Sequence, residues 1–153
     1  MKKGLLIDTH LLLVMIVGGL EEGRYIEKSK RLGDFCVEDY HQLWLLVEAY
    51  SDVWITPYIA AEVSNLINLH GQARVRVFEF ARKIFSLFKQ VETWISEDCE
   101  GDLFLKFGLT DNSIIRLSES LDIITSDHRM ASPLFATNPE RVIPYVPFKQ
   151  LNS

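Results

Sequence analysis

Four acids stand where their type and spacing could do chemistry. Asp8 follows the apolar run Leu5, Leu6, Ile7, and Asp127 follows Ile123, Ile124 and Thr125. Glu62 lies in "AAEVSNLINL", set among Ala60, Ala61, Val63 and Leu66, and Asp111 opens "DNSIIRL". Each has an ordinary reading alone: Asp8 and Asp111 as helix caps, Asp127 as a turn residue, Glu62 as a surface residue. Together these readings weaken, because each acid holds a corresponding place in a different strand–helix unit. Two like charges about 4 Å apart repel by about 4 kcal/mol at an effective dielectric near 20. Clustered carboxylates therefore protonate, recruit basic side chains or bind a cation. The sequence offers no obvious internal cation. An oxygen-only set suits Mg²⁺ or Mn²⁺, which keep waters, bind phosphate and lower the pKa of bound water.

The positioning elements alternate. A strand at residues 5–7 leads into the helix "THLLLVMIV", which Gly18 and Gly19 stop. Residues 21–39 are charged, broken by Gly23 and Gly33, and read as a mobile connection with at most a short helix. "YHQLWLLVEAY" reads as a helix with a broad apolar face, and "DVWIT" as a second strand. "TPYIAAEVSNLINL" opens a helix capped by Thr56, with Pro57 at its first position and Gly71 at its end. Residues 72–90 predict a long helix with Val75, Phe78, Ala81, Phe85 and Phe88 on one face. "VETWI" is a candidate third strand, and "EDCEGDLFLKFG" a short helix or turn ending at Gly108. "LTDNSIIRLSES" is a helix capped by Thr110 or Asp111. "DIIT" is a strand and "HRMASPLF" a short helix. "RVIPYVPF" is extended, an edge strand at best because of Pro144 and Pro147.

Short strands alternating with helices imply an α/β fold with a mainly parallel sheet. In such sheets ligands bind outside the carboxyl ends of the strands, which is where Asp8 and Asp127 fall. No repeat or linker divides the chain, so residues 1–153 are expected to form a single domain.

The ordered set "LLIDTHLLL", "ITPYIAAEV", "FGLTDNSII" and "IITSDHRM" resembles the PIN-domain ribonucleases over nearly the whole chain. The family's first-strand Asp matches Asp8, its helix Glu matches Glu62, its Asp at a helix start matches Asp111, and its T-x-D matches Thr125 and Asp127. The family often has Asn or Ser two residues after the first Asp, where this chain has His10. The resemblance implies a three-layer α/β/α domain and a metal-dependent endoribonuclease. Asp8, Glu62, Asp111 and Asp127 would hold Mg²⁺ or Mn²⁺, and Thr125 would orient a carboxylate or a water. Water would attack the RNA phosphodiester in line, leaving a 5′-phosphate. Small bacterial members are commonly toxins of toxin–antitoxin pairs and commonly dimerise, so a homodimer and an antitoxin protein are the expected partners.

The remaining residues bound this reading. With 48% hydrophobic and 24% charged residues and a net charge of −5, the composition is that of an ordinary globular protein, without the basic surface of most nucleic-acid binders. Arg74, Arg76, Arg82 and Lys83, or Lys28, Lys30 and Arg31, could still track an RNA backbone, although solvated helix faces are the default. His10 and His128 flank two of the acids; His41 and His70 have no partner at ligand spacing. The run Glu97, Asp98, Glu100, Asp102 is read as solvated. Cys36 and Cys99 lack CxxC spacing and are read as reduced, buried thiols of a cytoplasmic protein. Lys2 and Lys3 precede an apolar stretch, but Asp8 and His10 interrupt it, and the run from Leu11 to Val17 is too short to span a bilayer. A haloacid-dehalogenase phosphatase would need a second acid at position 10. A receiver domain would need paired acids after the first strand, and a dinucleotide-binding protein a glycine-rich turn there. The alternative is a non-catalytic RNA- or protein-binding module on the same fold.

Overall fold

The computed structural model describes residues 2–151; residues 1, 152 and 153 of the expected domain lie outside the described residues. Its strands are β1 (Lys2–Ile7), β2 (Tyr50–Ile55), β3 (Lys89–Gln90), β4 (Asp122–Thr125) and β5 (Val142–Pro144). All pair in parallel, in the order β3-β2-β1-β4-β5. The helices are α1 (Thr9–Val17), α2 (Arg24–Lys28), α3 (Val37–Glu48), α4 (Pro57–Leu66), α5 (Gly71–Leu87), α6 (Ile95–Asp98), α7 (Asp102–Leu117), α8 (His128–Thr137) and α9 (Phe148–Leu151). This is the expected α/β fold with helices on both sides of a short parallel sheet. Among the described residues no helix is long and apolar enough to cross a membrane.

The chain grows outward from β1 to β2 and β3, then returns to the other side of β1 with β4 and β5. With right-handed crossovers, α1, α3, α4 and α5 share one face and α7 and α8 the other; the first group packs together, as does the second pair. The direction of winding reverses between β1 and β4. That junction is the topological switch point, where α/β sheets open a crevice at the strands' carboxyl ends.

Packing explains the strongest sequence signal. Leu11, Leu12, Leu13, Val14, Met15, Ile16 and Val17 are all buried, because α1 lies between the sheet and the helices α3, α4 and α5 and so is apolar all round. Burial of each such side chain is worth about 1.5–3 kcal/mol, which fixes α1 and the acid that precedes it. Gly18 and Gly19 follow α1 for reasons of space. A Cβ on Gly18 would stand 2.5 Å from the Tyr40 ring, and one on Gly19 would stand 2.3 Å from Phe80.

Several expected elements are displaced. The segment 21–39 is a built part of the core: it holds α2 and two 3₁₀ turns, Glu21–Gly23 and Lys30–Leu32, and it buries Ile26, Leu32 and Phe35. The third strand is Lys89–Gln90, extended by the bond from Val91 N to Ile55 O (2.9 Å), whereas residues 95–98 of "VETWI" and beyond form α6. Gly71, at φ +62°, starts α5, and α4 has already ended at Leu66. The buried stripe of α5 is Val77, Ala81 and Ile84, with Val75 turned to solvent. The cysteines are free but only half-buried. Thr56 caps α4 as expected, accepting from Ile59 N at 3.1 Å ahead of Pro57, and β5 is an edge strand carrying Pro144.

Candidate active site at the switch point

Asp8 leaves β1 and Asp127 follows β4 after one residue. Asp8 N donates to Ile124 O (3.0 Å), so the β1–β4 ladder runs right up to the acid. Asp8 is the cap that its sequence position suggested, and Asp127, read as a turn residue, also caps a helix. Asp8 accepts from Thr9 N (2.7 Å) and Asp127 from Arg129 N (3.0 Å). Each carboxylate therefore faces the positive end of a helix.

Threonines tie the acids together. Thr125 Oγ1 donates to Asp8 Oδ2 (2.5 Å) and accepts from Asp127 N (3.0 Å). Thr9 Oγ1 donates to Glu62 Oε2 (3.1 Å), and Thr110 Oγ1 donates to Glu62 Oε1 (2.9 Å). Glu62 is exposed at the mouth of the crevice, yet both oxygens are held. Asp111 is brought in by a break in α7. Gly108 adopts φ +84° and ψ −175°, a conformation that glycine alone takes easily, and the helix restarts just ahead of Thr110 and Asp111. Neither of these residues is the cap expected from the sequence.

The electrostatics follow from this crowding. Burial pushes the Asp8 carboxyl above its usual value. Asp111 rises to about 7, first from burial and then from the charges of Asp8, Asp127 and Glu62. Asp127 is lowered, chiefly by its hydrogen bond from Arg129. Arg129 is the internal cation that the sequence reading lacked. Its Nη2 lies 2.8 Å from Asp127 Oδ2 and 3.9 Å from Asp111 Oδ2, and its Nε lies 3.2 Å from Asp127 Oδ1. An exposed arginine in the first turn of a helix carries no sequence signal of this role beyond its spacing, two residues after Asp127. Thr9 and Thr110, next to Asp8 and Asp111, were missed for the same reason.

Four carboxylates against one arginine leave the crevice with an excess of negative charge. The donor set, all oxygen and poor in neutral groups, fits a hard divalent cation. Among the described residues no three acid, histidine or cysteine side chains form a closed ligand group; the carboxylates are turned onto the threonine hydroxyls and Arg129.

The other candidates fall outside this arc. Asp98 is buried away from it and accepts from Tyr58 Oη (2.7 Å); Arg116 stands 3.5 Å away, and Asn112 Nδ2 donates to the Asp98 carbonyl (2.6 Å). Asp98 thus anchors α7, which corrects its reading as solvated, whereas Glu97, Glu100 and Asp102 are exposed, as read. His41 stands edge-on to Tyr40, and His70 precedes α5 without a capping bond from its side chain. Arg76 pairs with Glu21 (3.1 Å), and Arg74 lies over Phe78. His10 is exposed and borders a pocket of about 230 Å³ beside Asp127, whereas His128 is exposed at the start of α8. No protein-family model and no curated protein matches the chain.

Proposed function

We propose that this protein is a Mg²⁺- or Mn²⁺-dependent endoribonuclease of the PIN type. The observation that carries the reading is the convergence of Asp8, Glu62, Asp111 and Asp127 at the switch point, with Asp111 raised to about 7 by burial and then by its acidic neighbours. Asp8, Asp111 and Asp127 would hold the ion, with Glu62 at the mouth. The ion would supply charge neutralisation at a phosphoryl oxygen and a more acidic water. The chain's own residues do the positioning. Thr125 orients Asp8, Thr9 and Thr110 orient Glu62, and the buried α1 holds Asp8 against movement. Glu62, outermost of the four, would complete the ligand set from the mouth of the crevice.

The test is cleavage of single-stranded RNA by the pure protein with Mn²⁺ or Mg²⁺. EDTA, Asp111→Asn and Asp127→Asn should each stop it, and the products should carry 5′-phosphates. Undiminished cleavage by the Asp8→Ala, Asp111→Ala double variant would overturn the mechanism. The alternative is a non-catalytic binding module on the same fold. The fork from Arg129 to Asp127 favours it, since an arginine already neutralises part of the cluster. Absence of both cleavage and metal binding would select that alternative.

The proposed partners are RNA, a second copy of the chain and an antitoxin-like protein, the setting a cytoplasmic toxin. Leu45 on α3 and Val75 and Leu87 on α5 are 61%, 51% and 71% exposed, leaving apolar surface for association.

A further inference from the structure

We propose that the pocket beside Asp127 is a nucleotide subsite, holding the RNA residue next to the scissile phosphate. This rests on the nuclease reading above but is tested apart from it. The pocket measures about 230 Å³ and opens against Asp127 and Ser126 on one side. That is below the 300–1,000 Å³ of sites for drug-sized ligands and suits one flat ring with its sugar. Its exposed lining is mainly polar, with Phe35 and Pro147 buried behind it, and it carries two basic side chains, Arg31 and His10. A nucleotide offers matching groups: hydrogen-bonding ring edges and a phosphate. The base would be held by its edges, at Asp34 and Ser126. The phosphate would meet Arg31 and His10. Among the described residues Arg31 forms no ion pair, whereas Arg129 is taken up by Asp127 and Asp111.

A second observation shows that the pocket walls are held together. Asp39 on α3 is 0% exposed. Its Oδ1 accepts from Tyr145 Oη (2.7 Å) and Phe148 N (3.0 Å), and its Oδ2 accepts from Cys36 N (2.8 Å). Lys149 Nζ adds a bond to Gly33 O (3.1 Å). One wall, residues 31–35, is thereby fastened to the other, residues 147–150. Burial of a carboxylate is costly unless it is fully bonded, and the donors to Asp39 all lie in or beside these walls. Nothing in the four-acid cluster requires this clamp; a pocket of fixed width does.

The test is binding of the four nucleoside 5′-monophosphates to the metal-free protein in EDTA, followed by calorimetry or amide chemical shifts. At least one should bind at millimolar concentration. Arg31→Ala, on the exposed rim, should weaken it about tenfold, the loss of one charge-assisted hydrogen bond. Asp111→Asn should leave it intact. In RNA cleavage, Arg31→Ala should raise KM more than it lowers kcat and should relax the preference for the nucleotide flanking the cut. Failure of all four monophosphates to bind, or equal affinity in Arg31→Ala, would overturn the subsite even if cleavage proceeds. Binding without cleavage would leave the subsite and remove the nuclease.

Discussion

Arg129 grips Asp127 with two nitrogens, at 2.8 and 3.2 Å, while the same Nη2 stands 3.9 Å from Asp111. One flexible side chain, 72% exposed, thus sits between two of the acids proposed as metal ligands. It can swing out without disturbing the core, because nothing apolar depends on it. The arginine and a divalent ion, if one binds as proposed, would compete for the same oxygens.

Removal of that competitor should tighten metal binding. Exposed ion pairs are weak, so Arg129→Ala should raise Mn²⁺ affinity by up to about fivefold. Titration calorimetry on both proteins measures this directly. Weaker binding in Arg129→Ala would instead make Arg129 a support for the ligand geometry.

The raised Asp111 carboxyl makes a statement about pH. Its pKa is about 7 in the folded protein and about 3.9 in an unfolded chain. Between these values the native state binds the extra proton, so metal-free stability is greatest below about pH 4 for this group and falls as pH rises toward 7. At about 1.4 kcal/mol per pKa unit, the loss amounts to a few kcal/mol at most. Asp111→Asn should flatten this part of the Tm–pH curve and raise Tm above pH 7. Parallel curves for the two proteins would remove the repulsion argument. Mn²⁺ should reverse the slope, because binding to the ionised form releases the proton.

Metal should also stabilise the fold outright. At about 100 times its dissociation constant, Mn²⁺ should add about 2.7 kcal/mol, and Asp8→Asn should shrink that gain. Calorimetry without any Mg²⁺ or Mn²⁺ signal at neutral pH would show that the site as drawn is wrong.

The hold on Glu62 is testable separately. Thr9→Val and Thr110→Val each delete one hydroxyl donor to it. Each should cost up to about 1.5 kcal/mol, the low end for a hydrogen bond to a charged group, because Glu62 is itself exposed. Cleavage should fall with the double variant, though less than with Glu62→Gln. A wild-type rate in the double variant would mean that Glu62 needs no such positioning.

The apolar patches on α3 and α5 predict a dimer by light scattering, with Leu87→Asp or Val75→Asp shifting it toward monomer. A monomer at tens of micromolar protein would set the dimer aside. Growth arrest on expression, relieved by Asp8→Ala at matched protein levels, separates a toxin from an RNA-processing enzyme.

The parts of this molecule that were legible in its sequence are those whose physics is local. Strands β1 and β4 are buried on both faces, so they read as apolar runs, and the acids after them stand out. Thr56 and Pro57 announce α4. By contrast β3 has two exposed residues, Lys89 and Gln90, held by ladder bonds that leave no pattern. The core role of Ile26, Leu32 and Phe35 is hidden by the charges around them. Asp127 stands two residues before Arg129, but the arginine's reach to Asp111 was invisible, because only the folded chain brings the middle of α7 beside it.

The central place of β1 has a consequence for synthesis. Its two neighbours are β2 and β4, and β4 emerges from the ribosome on the order of ten seconds after β1, at roughly 5–20 residues per second. Until then the apolar α1 lacks its full cover and Asp8 has neither Thr125 nor Asp127 beside it. A nascent chain of this protein therefore carries no assembled acid cluster until β4 and the segment that follows it have been made.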